Sequence, residues 1–363
     1  MSELLNVYAD LAFQTRTAAG QARDAALQAG AAVEIEATSL VDYRSAGHLL
    51  IVGPAEAALA AAHRLADCGL QRTVVITDGI STAAPATVGK ADPSMAVLYG
   101  QVDKLAGHLG HYVATLHAPN GEPLNLAELS GTQHPFFDLV LDLQPTPLLD
   151  RELPPFGYYP AGSDAARLER ALAQIPEMTG EFEKPKFFNY NPDICAHGDS
   201  GLTGCTRCLD ACPASAISSR GDHIEVDPYL CQGGGSCTAA CPTGAIIYAY
   251  PGPKDQIARL KAMLQTYRAA GGEQPILLFH DDTAGVERLR ESVAELPERV
   301  IPVRVEEIGA VGMDTWLSAL AYGASDVVLL DTAEVPAATR RELDNQLSYA
   351  RALLQAMGYD PAR

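Results

Sequence analysis

The chain has 363 residues, enough for two or three domains at roughly 150 residues each. Its 26 Lys+Arg against 45 Asp+Glu leave a net charge of −19, which speaks against a groove that tracks nucleic-acid phosphates and against adhesion to anionic lipid. At 47% hydrophobic and 20% charged it is too apolar for disorder, and its longest apolar stretches, near 48–52 and 57–62, fall short of the ~20 residues a membrane helix needs. Residues 1–16 show no basic region followed by an apolar run, so the expectation is a cytoplasmic protein without a secretory signal or membrane span.

Residues 1–150 read as an α/β domain. A strand over 48–52, a helix over 55–68 and a strand over 72–77 are followed by a helical stretch over 101–115 and a strand over 137–143. Between the first strand and helix, Gly53-Pro54-Ala55-Glu56-Ala57-Ala58 stands where a dinucleotide fold carries Gly-x-Gly-x-x-Gly. Only the first glycine is present, and Glu56 puts negative charge where a phosphate would be received. Asp78 has the spacing of a ribose-binding acid, yet acids at strand ends are common. The expectation is a degenerate, Rossmann-like structural domain. His108 and His111, three apart with no ligand pattern nearby, are not expected to hold metal, and Cys68 in its Ala-rich stretch reads as a small buried hydrophobe.

Five prolines between 145 and 160 mark a boundary, and residues 161–176 carry apolar residues at helical spacing; 151–186 therefore read as a linker with a helix. Beyond it, seven of the eight cysteines lie between 195 and 241. So many thiols in a reducing compartment point to metal rather than disulfides.

This segment repeats itself. Tyr190-Asn191-Pro192-Asp193-Ile194-Cys195 matches Val226-Asp227-Pro228-Tyr229-Leu230-Cys231, 36 residues on. Cys208-Leu209-Asp210-Ala211-Cys212-Pro213 matches Cys237-Thr238-Ala239-Ala240-Cys241-Pro242, 29 residues on, so the first copy holds about seven extra residues in the 196–204 loop. Paired runs of this kind, each ending in Cys-Pro, mark a two-cluster ferredoxin, in which the fourth Cys of each run reaches the other cluster. A zinc ribbon uses two Cys-x2-Cys knuckles without the Cys-Pro ends.

Crossed assignment gives Cys195, Cys205, Cys208 and Cys241 to a first, 4Fe-4S cluster, and Cys212, Cys231 and Cys237 to a second. The fourth ligand of the second is due at position 234, which is Gly. Three readings stay open there: a 3Fe-4S cluster, a 4Fe-4S cluster completed by solvent or an outside ligand, and a site lost to drift. His197 and Asp199 read as solvated loop residues. The ferredoxin module is bounded at 187–252, and its six acids against Arg207 and Arg220 leave only −4.

Residues 253–363 contain no cysteine and alternate helix and strand: a helix through Ile257, Leu260, Leu264 and Tyr267, strands over 275–279, 300–305 and 326–330, helices over 286–296, 315–322 and 336–357. That pattern predicts a small parallel sheet with covering helices. The fold class expected is thus α/β flanking domains around a central two-cluster ferredoxin (α+β) module.

Phe182-Glu183-Lys184-Pro185-Lys186-Phe187-Phe188, Ile194-Cys195-Ala196-His197 and Gly204-Cys205-Thr206-Arg207-Cys208 resemble a bacterial family of dicluster iron–sulfur proteins that occur with formate dehydrogenases. The likeness runs from about residue 139 to the end and is most specific over 182–251. It implies electron transfer through two cubane clusters, with a redox enzyme such as formate dehydrogenase as partner. Gly234 departs from that family's second motif.

The C-terminal domain separately resembles the delta subunit of methyl-viologen-reducing hydrogenases, through residues 299–305, Ala319-Leu320 and Gly323-Ala324. That family carries cluster-binding cysteines around positions equivalent to 306–309 and 331–332; none is present, which implies a kept fold, a lost cofactor and a docking role.

The function expected is single-electron transfer to or from a redox enzyme. The acidic surface would steer docking onto a basic patch of the partner. The alternatives are catalysis at the under-ligated cluster, where an exposed iron acts as a Lewis acid, and a redox or oxygen sensor.

Overall fold

The computed structural model describes Tyr8, Leu11 and residues 13–78, 87–92, 94–117, 122–198 and 204–359, without the side chains of 87–92 and 117. The chain divides into two compact units, one of residues 40–184 and one joining residues 1–39 to 185–363.

Helix α1 (Ala18–Ala31) shows why the first residues leave the domain that sequence reading assigned them to. Glu298 accepts hydrogen bonds from the Arg16 and Thr17 amides and from the Thr17 hydroxyl, fixing the helix start to the C-terminal region. Ala22 and Ala26 are buried in the core that holds Leu260 and Leu264. A Cβ at Gly30 would stand 2.7 Å from the Met263 side chain, so glycine permits that helix contact.

In the unit of residues 40–184, strand β1 (Leu40–Ser45) pairs with β11 (Gly180–Pro185). The main sheet contains β2 (His48–Gly53), β3 (Gln71–Ile76), β4 (Thr87–Asp92), β5 (Met95–Tyr99), β9 (Leu139–Asp142) and β10 (Tyr158–Pro160), in the order β10-β9-β2-β3-β5-β4. All but β4 run parallel; taken in chain order they read 3-2-1-4-5 across the sheet, the order of doubly wound dinucleotide folds. Leu49 and Ile51 of β2 face one core and Leu50 and Val52 the other, which is why that strand is a continuous apolar run. Helices α2 (Ala55–Arg64) and α4 (Ala165–Gln174) contribute to the first core; α3 (Leu126–Ser130) and a small sheet of β6 (Val102–Ala106), β7 (Val113–His117) and β8 (Pro123–Asn125) contribute to the second.

Three expectations change here. Residues 101–115 form β6, a turn and β7 rather than a helix, because Gly107 (φ 121°) and Gly110 (φ 79°) turn the chain where added Cβ atoms would strike the His111 and Arg44 carbonyls at 2.0 and 1.9 Å. The proline-rich 145–160 stretch is no boundary: β10 lies in it, and α4 beyond it buries Ala171 and Leu172 in the same core. Cys68 is exposed, since α2 stops at Arg64 and a turn follows.

In the other unit, β16 (Ile276–His280), β17 (Val300–Arg304) and β18 (Asp326–Leu329) form a three-stranded parallel sheet in the order β17-β16-β18. Helices α7 (Pro253–Ala269), α8 (Ala284–Ser292), α9 (Met313–Ala321) and α10 (Ala337–Ala356) accompany it. Tyr8 joins this core, its hydroxyl 2.7 Å from His280 Nε2.

Candidate metal centres

The internal repeat is visible in the backbone. Strand β12 (Phe188–Tyr190), helix α5 (Arg207–Ala211) and β13 (Ile217–Ser219) form the first copy; β14 (Ile224–Val226), α6 (Ser236–Ala240) and β15 (Ile246–Tyr248) form the second. β12 pairs antiparallel with β15 and β13 with β14, so each copy is stitched to the other. Asn191 and Asp227 begin equivalent turns: the Asn191 side chain accepts from the Asp193 amide, and the Asp227 carboxylate from the Tyr229 and Leu230 amides. These turns present Cys195 and Cys231. Helices α5 and α6 carry Cys208 and Cys237, while Cys212 and Cys241 follow them in extended conformation. Ser215 (φ 49°) and Gly244 (φ 70°) then make the same left-handed turn.

The seven thiols fall into a four and a three. Burial pushes the Cys208 thiol up to about 11, and Cys205, Cys241 and Cys195 add to the shift. Three of those four belong to the first copy and Cys241 to the second. Burial also raises Cys237 well above the usual thiol range, helped by Cys212 and Cys231 ahead of Cys208. Cys195, Cys205, Cys208 and Cys241 line a cavity together with Tyr190 and Ile246. Among the described residues no three His, Cys, Asp or Glu side chains converge on the position of a single ion. Thiolates around one zinc would stand about 3.8 Å apart, as a tetrahedron with 2.3 Å bonds requires; four thiols spread around a cavity suit a larger inorganic core.

Donors surround these sulfurs. For Cys241 burial raises the pKa, but the Ile246, Thr243 and Ala245 amides and the Thr243 hydroxyl outweigh it and leave the thiol lowered. The Ala216 amide donates to Cys212 Sγ at 3.4 Å. Burial, with a hydrogen bond to Cys195, raises the Tyr190 phenol to about 12. Such contacts tune a cluster's potential.

The second group has a different wall. Gly233 (φ 74°) lies under the Phe187 ring, where a Cβ would approach ring carbons to 3.1 Å, and its carbonyl accepts from Tyr248 at 2.9 Å. Gly235 (φ 73°) meets the turn at Ile308–Ala310: a Cβ there would stand 2.4 Å from the Ala310 backbone, and one on Gly309 would stand 2.3 Å from the Gly234 carbonyl oxygen. The triple glycine is therefore the surface on which the C-terminal domain is seated.

His197 departs from its expected solvated place. It is 1% exposed, with Nδ1 2.8 Å from the Cys205 carbonyl and Nε2 2.8 Å from Ser219 Oγ. It ties the inserted loop to β13 directly behind a cysteine of the four. Its spacing two residues after Cys195 was the available signal, and its buried partner Ser219 lies too far along the chain for spacing to reveal it. Asp199 lies outside the described residues.

The other candidates are accounted for structurally. Asp78 Oδ1 accepts from the Ala55 amide at 2.7 Å, taking the helix N-terminus that a phosphate would use. A Cβ at Gly53 would lie 2.7 Å from that of Leu143, and Asp142 is occupied by the Gln144 and Leu148 amides and the Tyr158 hydroxyl. His108 and His111 stack on each other, ring centres 5.9 Å apart. Among the described residues no helix is long and apolar enough to cross a membrane.

Residues 203–245 match the 4Fe-4S dicluster domain. Three relatives match stretches of the chain. Hydrogenase-4 component A of Escherichia coli is 40% identical over 55 residues, 15% of this chain and 24% of the relative. An uncharacterized ferredoxin of Methanocaldococcus jannaschii is 36% identical over 58 residues, 16% of this chain and 32% of the relative. Indolepyruvate oxidoreductase subunit IorA of Pyrococcus horikoshii is 32% identical over 77 residues, 21% of this chain and 11% of the relative. The chain thus spans a third or less of the length of each of these curated relatives.

Proposed function

We propose that the protein is an electron-transfer protein or subunit that moves single electrons between a redox enzyme and an acceptor, with Cys195, Cys205, Cys208 and Cys241 holding a 4Fe-4S cluster and Cys212, Cys231 and Cys237 a 3Fe-4S cluster. The observation that carries this reading is the cavity lined by Cys195, Cys205, Cys208 and Cys241, a four that crosses the two copies, with Cys212 and Cys231 neighbouring Cys237 in the run that contains Gly234. Bound clusters supply one-electron redox chemistry. The chain's own residues hold the thiolates, exclude water and direct amide donors at sulfur.

The packing of Gly233, Gly234 and Gly235 under Phe187, Tyr248 and the 308–310 turn supports carriage over catalysis at an open iron, because protein covers this loop. In the same reading the C-terminal domain descends from a cluster-holding hydrogenase delta-type domain. Its equivalent positions now hold Glu306 to Gly309 and Asp331, whose carboxylate pairs with Arg340. The enzyme partner proposed is a formate dehydrogenase or related oxidoreductase in the cytoplasm.

Anaerobic purification, iron counting and a potentiometric titration followed by low-temperature EPR test this. About seven irons per chain, a three-iron signal before reduction and one electron taken up per cluster are expected. About eight irons with no such signal would replace the 3Fe-4S assignment, and about four would make the second site a relic.

A further inference from the structure

Helix α10 packs its first half across α5 and α6, the two helices that bear Cys208 and Cys237. Its inner face is buried at Leu343, Gln346 and Ala350. Leu353 stands seven residues after Gln346 and Met357 seven after Ala350, so both continue that stripe. There the cover ends: Tyr349 is 46% exposed, Leu353 47%, Met357 70% and Tyr359 60%. An inner helix face that runs past its own domain leaves an apolar patch on the order of a few hundred Å², the size of the largest patch on a typical monomer, which is often functional.

The patch adjoins the first group of thiols. Arg207, inside the Cys205–Cys208 run, bonds Glu342 at 3.0 Å, and its guanidinium lies 6.0 Å from the centre of the Tyr349 ring. A groove between α5 and α10 is lined by Arg207, Asp210, Arg341, Glu342, Asn345 and Tyr349, the last of which belongs to the exposed apolar set.

We propose that the uncovered end of α10 is the docking surface for the electron-transfer partner of the first centre, and that this partner presents a small apolar patch rimmed by carboxylates. Area and charge choose this occupant. Stable dimers bury about 800 Å² per subunit, more than this patch offers, whereas redox encounters occupy the small end of the range. A second copy would also bring another −19 of charge. The helix itself carries Arg340, Arg341 and Arg351 against Glu342 and Asp344, so its balance is opposite to that of the whole chain. Among the described residues Arg341 and Arg351 have no ion-pair partner, while Arg340 is held by Asp331 and Glu342 by Arg207. Long-range steering by the whole chain still favours basic proteins; contact at this patch favours acidic ones.

The inference rests on the electron-carriage reading, so the test separates the two. The reduced full-length holoprotein is mixed in a stopped-flow with an acidic plastocyanin-type copper protein, a basic c-type cytochrome, or benzoquinone. Leu353→Glu is expected to slow oxidation by the copper protein about tenfold, and the Arg341→Glu/Arg351→Glu pair about fivefold, with oxidation by quinone unchanged. Variants that keep the wild-type rate with the copper protein, or that lose rate only with the cytochrome, would overturn the docking assignment. So would a wild-type dimer in sedimentation that Leu353→Glu makes monomeric, because a second copy would then own the stripe. A reduced protein that no acceptor oxidises, quinone included, would overturn the carriage reading itself.

Discussion

The two copies of the ferredoxin repeat share turns, helices and Cys-Pro ends, yet their loops between the first and second ligand positions have gone different ways. The first is about seven residues longer and folds a buried histidine behind Cys205. The second is Gly-Gly-Gly and lies flush beneath the C-terminal domain. One copy has four cysteines and a second layer of protein around them; the other has three, with Gly234 where the fourth would stand, and makes a domain contact. The glycine at the proposed fourth-ligand position thus sits in tight packing, which suits the proposed sealed relay better than an open catalytic iron.

The largest effect should come from filling the contact at the second loop. Gly309→Val places a side chain within 2.3 Å of where the Gly234 carbonyl stands and against Thr339, and should destabilise the unit of residues 1–39 and 185–363 by about 3 kcal/mol in chemical denaturation. If that variant unfolds at the wild-type midpoint, the loop is not held as described.

Glu307 sharpens the same contrast through pH. Burial, then Asp281, Glu306 and Asp282, raise its carboxyl from 4.5 to about 7, so the protonated form suits the fold. The stability this group allows is fully present below about pH 4.5 and is lost as pH rises through 7, a swing of about 3 kcal/mol at most. Glu307→Gln should flatten that part of the stability–pH curve between pH 5 and 8, and an unchanged slope would contradict the assignment.

At the first loop, His197→Ala removes a group that bridges the Cys205 carbonyl and the Ser219 hydroxyl, at a cost of about 2 kcal/mol for buried partners left unpaired. The four-iron EPR signal should become labile to mild chelation while the three-iron signal persists; equal loss of both would mean that the histidine serves the whole module. The smallest effect should be a gain. Ser215 holds a left-handed backbone where the second copy has Gly244, and Ser215→Gly should stabilise by about 0.5–1 kcal/mol, read as a shifted unfolding midpoint.

Much of this contrast was legible in the residues. The cysteine spacing, the 36- and 29-residue offsets and the glycine at 234 need only the chain, because each is a local pattern of residues. The helices and strands of 253–357 were legible for the same reason, their apolar periods being clear. Residues decided by distant contacts were not. Ala22 and Ala26 look like any Ala-rich helix until Leu260 and Leu264 cover them. His197 looks like a solvated loop residue until Ser219 comes round beside it. Residues 101–115 carry helix-compatible side chains, and only the tight approach of Gly107 and Gly110 to other backbone makes them a hairpin. The use of Gly233 to Gly235 as a seat for Ala310 is equally invisible along the chain, since the two lie some 75 residues apart.

The measurement that bears most directly on the central claim is low-temperature EPR, with iron counting, on anaerobically prepared wild type and Cys241→Ala. Cys241 belongs by position to the second copy and by neighbourhood to the first group of thiols. The account predicts that the variant loses or alters the reduced four-iron signal and keeps the oxidised three-iron signal. A variant that keeps the four-iron signal and loses the three-iron one would contradict the crossed arrangement.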